Sequence, residues 1–106
     1  MKYMMLICVD TTMTPRGGEP TIEEWVAELE GKRIEGSELM SIQDATTVRK
    51  RDEEVLLSDG PFAETKEHIV GYDIIECADL DEAIHVAGRH PCARFGAIEV
   101  RPFPPV

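Results

Sequence analysis

The sequence predicts one α+β domain over residues 1–106, a sheet with helices on one face, and three observations lead there. Residues 2 to 9 (Lys-Tyr-Met-Met-Leu-Ile-Cys-Val) are apolar at almost every position, the composition of a strand covered on both sides. Two later segments, opening at Ile22 and Leu80, repeat apolar residues at helical spacing. The periodic runs then follow one another as strand, helix, strand, hairpin, strand, helix, strand.

Each element has a local reason. Residues 10 to 20 hold Asp, Thr, Pro and two consecutive glycines, a loop by composition. Thr21 and Glu24 are spaced as a capping box, and Ile22, Trp25, Val26 and Leu29 follow at i, i+3, i+4 and i+7 as one buried stripe, with Gly31 as the stop. Lys32 to Gly36 connects to a strand near Glu38 to Ile42. Thr46 to Arg51 and Val55 to Ser58 read as a hairpin around Arg51-Asp52-Glu53-Glu54. Asp59-Gly60-Pro61 redirects the backbone sharply, because Asp bonds its own turn, Gly permits positive φ and Pro fixes φ. Phe62 is expected to anchor that loop in the core.

Ile69 to Cys77 is the second long strand, where Gly71 marks a bulge or a close backbone approach. Asp79 caps the next helix with Glu82 at the matching third position, and Leu80, Ala83, Ile84 and Ala87 make its apolar stripe, leaving His85 outside it. Gly88 and Pro91 end this helix. Ala97 to Pro102 alternates apolar and charged residues as a final strand, and the proline-rich tail is extended. This order is the split β-α-β pattern of ferredoxin-like domains with one inserted hairpin.

Two helices can cover only one face of such a sheet. A first strand that is apolar on both sides needs a second cover, and a copy of the same chain is the simplest one, so a homodimer is expected. The 106 residues carry 42% hydrophobic and 30% charged side chains, a globular composition, with a formal charge of -10. That field opposes direct binding to nucleic acid or anionic lipid, and Arg49, Lys50 and Arg51 read as a solvated edge. No apolar stretch approaches the roughly 20 residues that span a bilayer, and no small-residue cleavage site follows Lys2. Cys8, Cys77 and Cys92 show no C-x-x-C spacing, which suits buried thiols in a reducing, cytoplasmic setting better than disulfides or zinc.

The nine residues Asp59-Gly60-Pro61-Phe62-Ala63-Glu64-Thr65-Lys66-Glu67 resemble the DGPF branch of the YCII-related family. The similarity continues at Lys2-Tyr3-Met4, Thr47-Val48-Arg49, Gly71-Tyr72, Leu80-Asp81-Glu82-Ala83 and Ile98-Glu99-Val100-Arg101-Pro102-Phe103. The resemblance implies a ferredoxin-like fold assembled as a dimeric α/β barrel. In the wider family a His and an Asp recur, the Asp just before the proline after the second helix, which suggests enzymatic function. Here His90 stands before Pro91 and no histidine precedes His68, so that dyad is not expected. Fusions to sigma-factor domains in the branch imply a role near transcription initiation by association alone.

Several constellations are candidates for chemistry. Asp59, Glu64, Lys66, Glu67 and His68 could line a small-molecule pocket on a loop held by the Gly-Pro turn; the plainer reading is a turn cap and a surface ion pair. A histidine, His68 or His90, near Asp59, Asp73 or Glu99 could transfer protons, although a helix-terminal His90 is more often solvated or capping. His85, His90 and Cys92 match no zinc pattern, so no metal or other cofactor is expected. Glu99 and Arg101 share a sheet face and with Arg49 could form a polar cluster between subunits, or an inter-subunit salt bridge. The expectation is therefore a homodimeric small-ligand-binding or regulatory accessory protein, with Asp59, Lys66, Glu67, Arg49 and Arg101 as ligand-binding candidates and a sigma-factor-type protein as a possible partner. The alternative is a cofactor-independent enzyme using a carboxylate or histidine.

Overall fold

The computed structural model describes residues 1–62 and 66–105. Its strands are β1 (Lys2–Asp10), β2 (Arg33–Glu38), β3 (Thr46–Arg51), β4 (Glu54–Asp59), β5 (Glu67–Glu76) and β6 (Ala97–Pro102), and its helices α1 (Ile22–Glu28) and α2 (Leu80–Gly88). Four strands make an antiparallel sheet in the order β2-β5-β1-β6, while β3 and β4 pair only with each other. The architecture is α+β with two helices and antiparallel sheets, compatible with the ferredoxin-like order.

The pleat sorts the side chains. Tyr3, Met5, Ile7 and Val9 are buried, and the first three join Trp25, Leu29, Ile75, Cys77, Ala83, Val86 and Ala87 in the core between sheet and helices. Met4, Leu6 and Cys8 point to the opposite face, where they lie beside Ile74, Tyr72 and Ile69 of β5 and Arg101, Glu99 and Ala97 of β6. Neither helix packs its buried residues there, so one chain covers only one side of β1.

Both helix starts follow their caps. Thr21 Oγ1 accepts from the Glu24 N–H at 3.2 Å while Glu24 Oε1 accepts from the Thr21 N–H at 3.3 Å, and Asp79 Oδ1 accepts from the Glu82 N–H at 2.9 Å. In β5 the ladder shifts at the bulge, with Ile7 opposite Gly71 and Cys8 opposite Ile69. A Cβ on Gly71 would stand 3.1 Å from the Ser37 carbonyl oxygen, so the close approach holds as well as the bulge.

Four expectations are corrected. The strand placed at Glu38 to Ile42 lies earlier, at Arg33–Glu38, because the β5 ladder ends at Glu38 and Ser41 caps a 3-10 turn over Ile42–Asp44. Phe62 is 79% exposed rather than a core anchor. The turn at Gly60, with φ +96° and its N–H on the Ala45 carbonyl at 2.7 Å, leads it outward to lie under the Arg49 guanidinium, 5.5 Å from the ring centroid. The second helix buries Ala83, Val86 and Ala87, not Leu80 and Ile84, since alanines let the backbone come close to the sheet and leave the larger side chains at the rim. Ile22 is likewise exposed, so the first stripe rests on Trp25 and Leu29.

The β3–β4 hairpin shows a further apolar surface. Its register puts Val48 opposite Leu57 and Lys50 opposite Val55, and Val48, Val55 and Leu57 are 62%, 59% and 68% exposed on that shared face. At the far end of the sheet, Gly96 is packed so tightly that a Cβ would stand 2.3 Å from the Cys8 carbonyl oxygen and 2.9 Å from Val9 Cγ1. Gly96→Ala is expected to destabilise the fold by about 1–3 kcal/mol, read from the denaturant midpoint; an unchanged midpoint contradicts this packing.

Candidate functional site

Two polar side chains are buried among the described residues, Asp73 and His90, and the first is a carboxylate in an apolar strand. Asp73 sits between Tyr72 and Ile74 in β5, points to the helix side of the sheet and is 6% exposed. Such a group needs a partner, and Arg33 of the neighbouring β2 supplies it, Nε donating to Asp73 Oδ1 at 2.7 Å. Space for the pair comes from Gly36, where a Cβ would lie 1.9 Å from Asp73 Oδ1 and 2.6 Å from Arg33 Nη2. Burial pushes the Asp73 carboxyl above its ordinary pKa, while the bond and charge of Arg33 pull it back.

The opposite wall is built after α2. His90 precedes the 3-10 turn Pro91–Arg94, and its Nδ1 accepts from the Cys92 N–H at 2.9 Å. The imidazole is 4% exposed and meets Trp25 edge to face, with centroids 4.6 Å apart. Trp25 is itself fixed, its indole N–H donating to the Val86 carbonyl at 3.0 Å. Burial, then the nearby Arg94 charge, lowers the His90 pKa from 6.5 to about 4. At neutral pH the ring is therefore uncharged.

These two walls enclose a cleft of about 780 Å³ between α1, the sheet and the Leu39–Gln43 segment, lined by Arg33, Asp73, Trp25 and His90 together with Ile7, Val26, Met40, Val70 and Cys92 among others. A smaller pocket of about 450 Å³ lies beneath the hairpin base, with His68 and Glu67 on its wall beside Met40, Phe62 and Ile69.

The candidates from sequence are thus dispersed. His90 and Asp73 share the larger cleft, whereas His68 and Glu67 belong to the smaller pocket. Asp59 and Lys66 are exposed, and neither they nor Arg49 line either space. Arg101 pairs with Glu99 at 2.8 Å on the bare sheet face; Glu64 lies outside the described residues. His85 is exposed and His90 buried, a capping rather than solvated histidine. Among the described residues no group of three His, Cys, Asp or Glu side chains could hold a metal, and no helix is long and apolar enough to cross a membrane. Arg33 was the residue missed, and its signal was indirect: a lone Asp inside an apolar strand demands a cation from a neighbouring strand.

Fold and site together define a small α+β domain with one polar-anchored cleft on the helix side of its sheet. The chain belongs to the YCII-related family, whose profile matches residues 1–105. It is also 42% identical over 74 residues to an uncharacterised protein of Rhizobium meliloti (strain 1021), a match covering 68% of this chain and 60% of that protein.

A depressed His90 pKa couples stability to pH. Between about 4 and 6.5 the unfolded chain binds a proton that the folded chain excludes, so this contribution is complete above about 6.5 and is lost as pH falls toward about 4. The slope is at most about 1.4 kcal/mol per pH unit for one proton. The raised Asp73 pKa has the opposite sign and offsets part of it. Denaturant midpoints across this window should fall with acidification in the native protein and flatten in His90→Phe; parallel profiles contradict a buried neutral imidazole.

Proposed function

We propose that this is a homodimeric small-ligand-binding protein whose binding site is the cleft between α1 and the sheet. The observation that carries the reading is the convergence of Arg33, Asp73 and His90 on one space of about 780 Å³ whose other walls are largely apolar. Few fixed polar groups on an apolar surface are the usual composition of sites for small organic molecules. All three groups are held in place, Arg33 and Asp73 by each other and His90 by the Cys92 N–H, so little ordering remains to be done on binding.

The dimer rests on the face that carries Met4, Leu6, Cys8, Ile69 and Ile74. At about 25 cal/mol per Å², covering a few hundred Å² of it contributes several kcal/mol before association costs. The resemblance to a family of dimeric α/β barrels supports the same assembly, and the Glu99–Arg101 pair lies on that face. An accessory role beside a basic protein such as a sigma-factor region is supported by the -10 charge and the fusions in the DGPF branch. The enzyme alternative draws on Asp73 and His90 sharing the cleft, but an imidazole with a pKa of about 4 is a weak base at neutral pH, which favours binding over acid-base catalysis.

Screening a metabolite library against the full chain by Trp25 fluorescence and amide NMR tests the site. Binders should perturb Trp25, Arg33 and His90, and Arg33→Ala should weaken them about tenfold; a library whose binders leave those signals unmoved counts against the cleft. Light scattering should return twice the 11.9 kDa chain mass, shifting to one chain in the double variant Leu6→Asp, Ile74→Asp. A native protein that runs as one chain at micromolar concentration overturns the dimer.

A further inference from the structure

Resting on that reading of the cleft, we propose that its ligand is an uncharged carbonyl compound with an apolar body, whose carbonyl oxygen accepts a hydrogen bond from the His90 Nε2–H. The tautomer follows from geometry. Nδ1 is occupied as acceptor of the Cys92 N–H at 2.9 Å, so the proton of the neutral ring resides on Nε2. His90 lines the cleft, and its Nε2–H has no protein acceptor among the described residues. It is not one of the buried unpaired atoms, of which Arg94 Nε is the one found there, so it is a donor still open to the cleft. An open donor of this kind is met by water in the free protein, and a ligand acceptor placed against it takes over that hydrogen bond in a drier setting, where it is stronger.

The neighbouring groups set the ligand's charge. Arg33 gives its Nε to Asp73, and its terminal N–H groups are further donors on the facing wall. The charged side chains lining the cleft are one cation, Arg33, against two carboxylates, Asp73 and Glu38, so negative charge is in excess. Donors that seek an acceptor, inside a cleft and a chain that are both net negative, select a neutral acceptor over an anion. Trp25, Val26, Leu39, Met40, Ile42 and Val70 form the apolar surface against which a flat hydrocarbon body would lie.

Three naphthalenes with one body and different heads test this on the full chain: acetylnaphthalene, ethylnaphthalene and naphthoate. The ketone is expected to bind about tenfold tighter than the hydrocarbon, the worth of one hydrogen bond, and tighter than the carboxylate. Its infrared carbonyl stretch should move to lower frequency in the complex, and both effects should be lost in His90→Phe. Nitrogen NMR of the native protein, which needs no variant, should show the ring proton on Nε2; a proton on Nδ1 overturns the inference. Naphthoate binding as tightly as the ketone, or ethylnaphthalene matching it because Nε2–H is satisfied by water alone, also overturns it while the cleft stands as a binding site. If none of the three perturbs Trp25 or the cleft amides, the ligand-binding reading falls with it.

Discussion

The bond from Arg33 Nε to Asp73 Oδ1, 2.7 Å long, joins the edge strand β2 to the central strand β5 on the side of the sheet that faces the helices. The Asp73 side chain is 8% exposed, and breaking such a pair from one side leaves a charge that its surroundings solvate poorly. Replacing the pair with apolar side chains would satisfy the core equally well, so its presence is an argument about what the wall must do rather than about stability. Gly36 shows the same constraint from the backbone: the sheet gives up a side chain at that position because the two charged groups occupy its volume.

The opposite wall depends on a second set of fixed groups. His90 closes α2 and opens the next turn with a single side chain, Trp25 meets its ring from α1, and Arg94 reaches the carbonyl oxygens of Gly18, Glu19 and Pro20 at 3.2 to 3.4 Å. The long loop before α1 is thereby attached to the segment after α2. Both helices and the loop are referenced to one turn, which holds the cleft at a defined width.

The remaining surface has a different character. Met4, Leu6 and Ile74 on the sheet face away from the helices are half-buried, and Val48, Val55 and Leu57 on the hairpin are exposed. Isolated two-stranded ribbons are marginal in water, and apolar sheet faces of this kind are ordinarily interfaces. The molecule is thus divided between a helix side that carries a cleft and a sheet side with an apolar surface that no helix covers.

Much of this was legible in order along the chain. The two long strands, both helix caps, the hairpin and the final strand each follow from short-range rules: apolar periodicity, a hydroxyl or carboxylate three residues before its N–H partner, and turn residues between. Family membership was legible in Asp59 to Glu67 and the matches around it. Errors arose where short-range preference met packing. Phe62 is large and apolar yet turns outward with its loop, and Leu80 and Ile84 yield the buried face to Ala83 and Ala87 because the sheet comes too close for them. The site was the least legible part, since Arg33, Asp73 and His90 are brought together by strand register and helix placement, over separations that no spacing along a chain encodes. Local composition determined which elements form; only the packing of those elements decided which charges meet, because a buried charge takes its partner from whatever strand lies beside it.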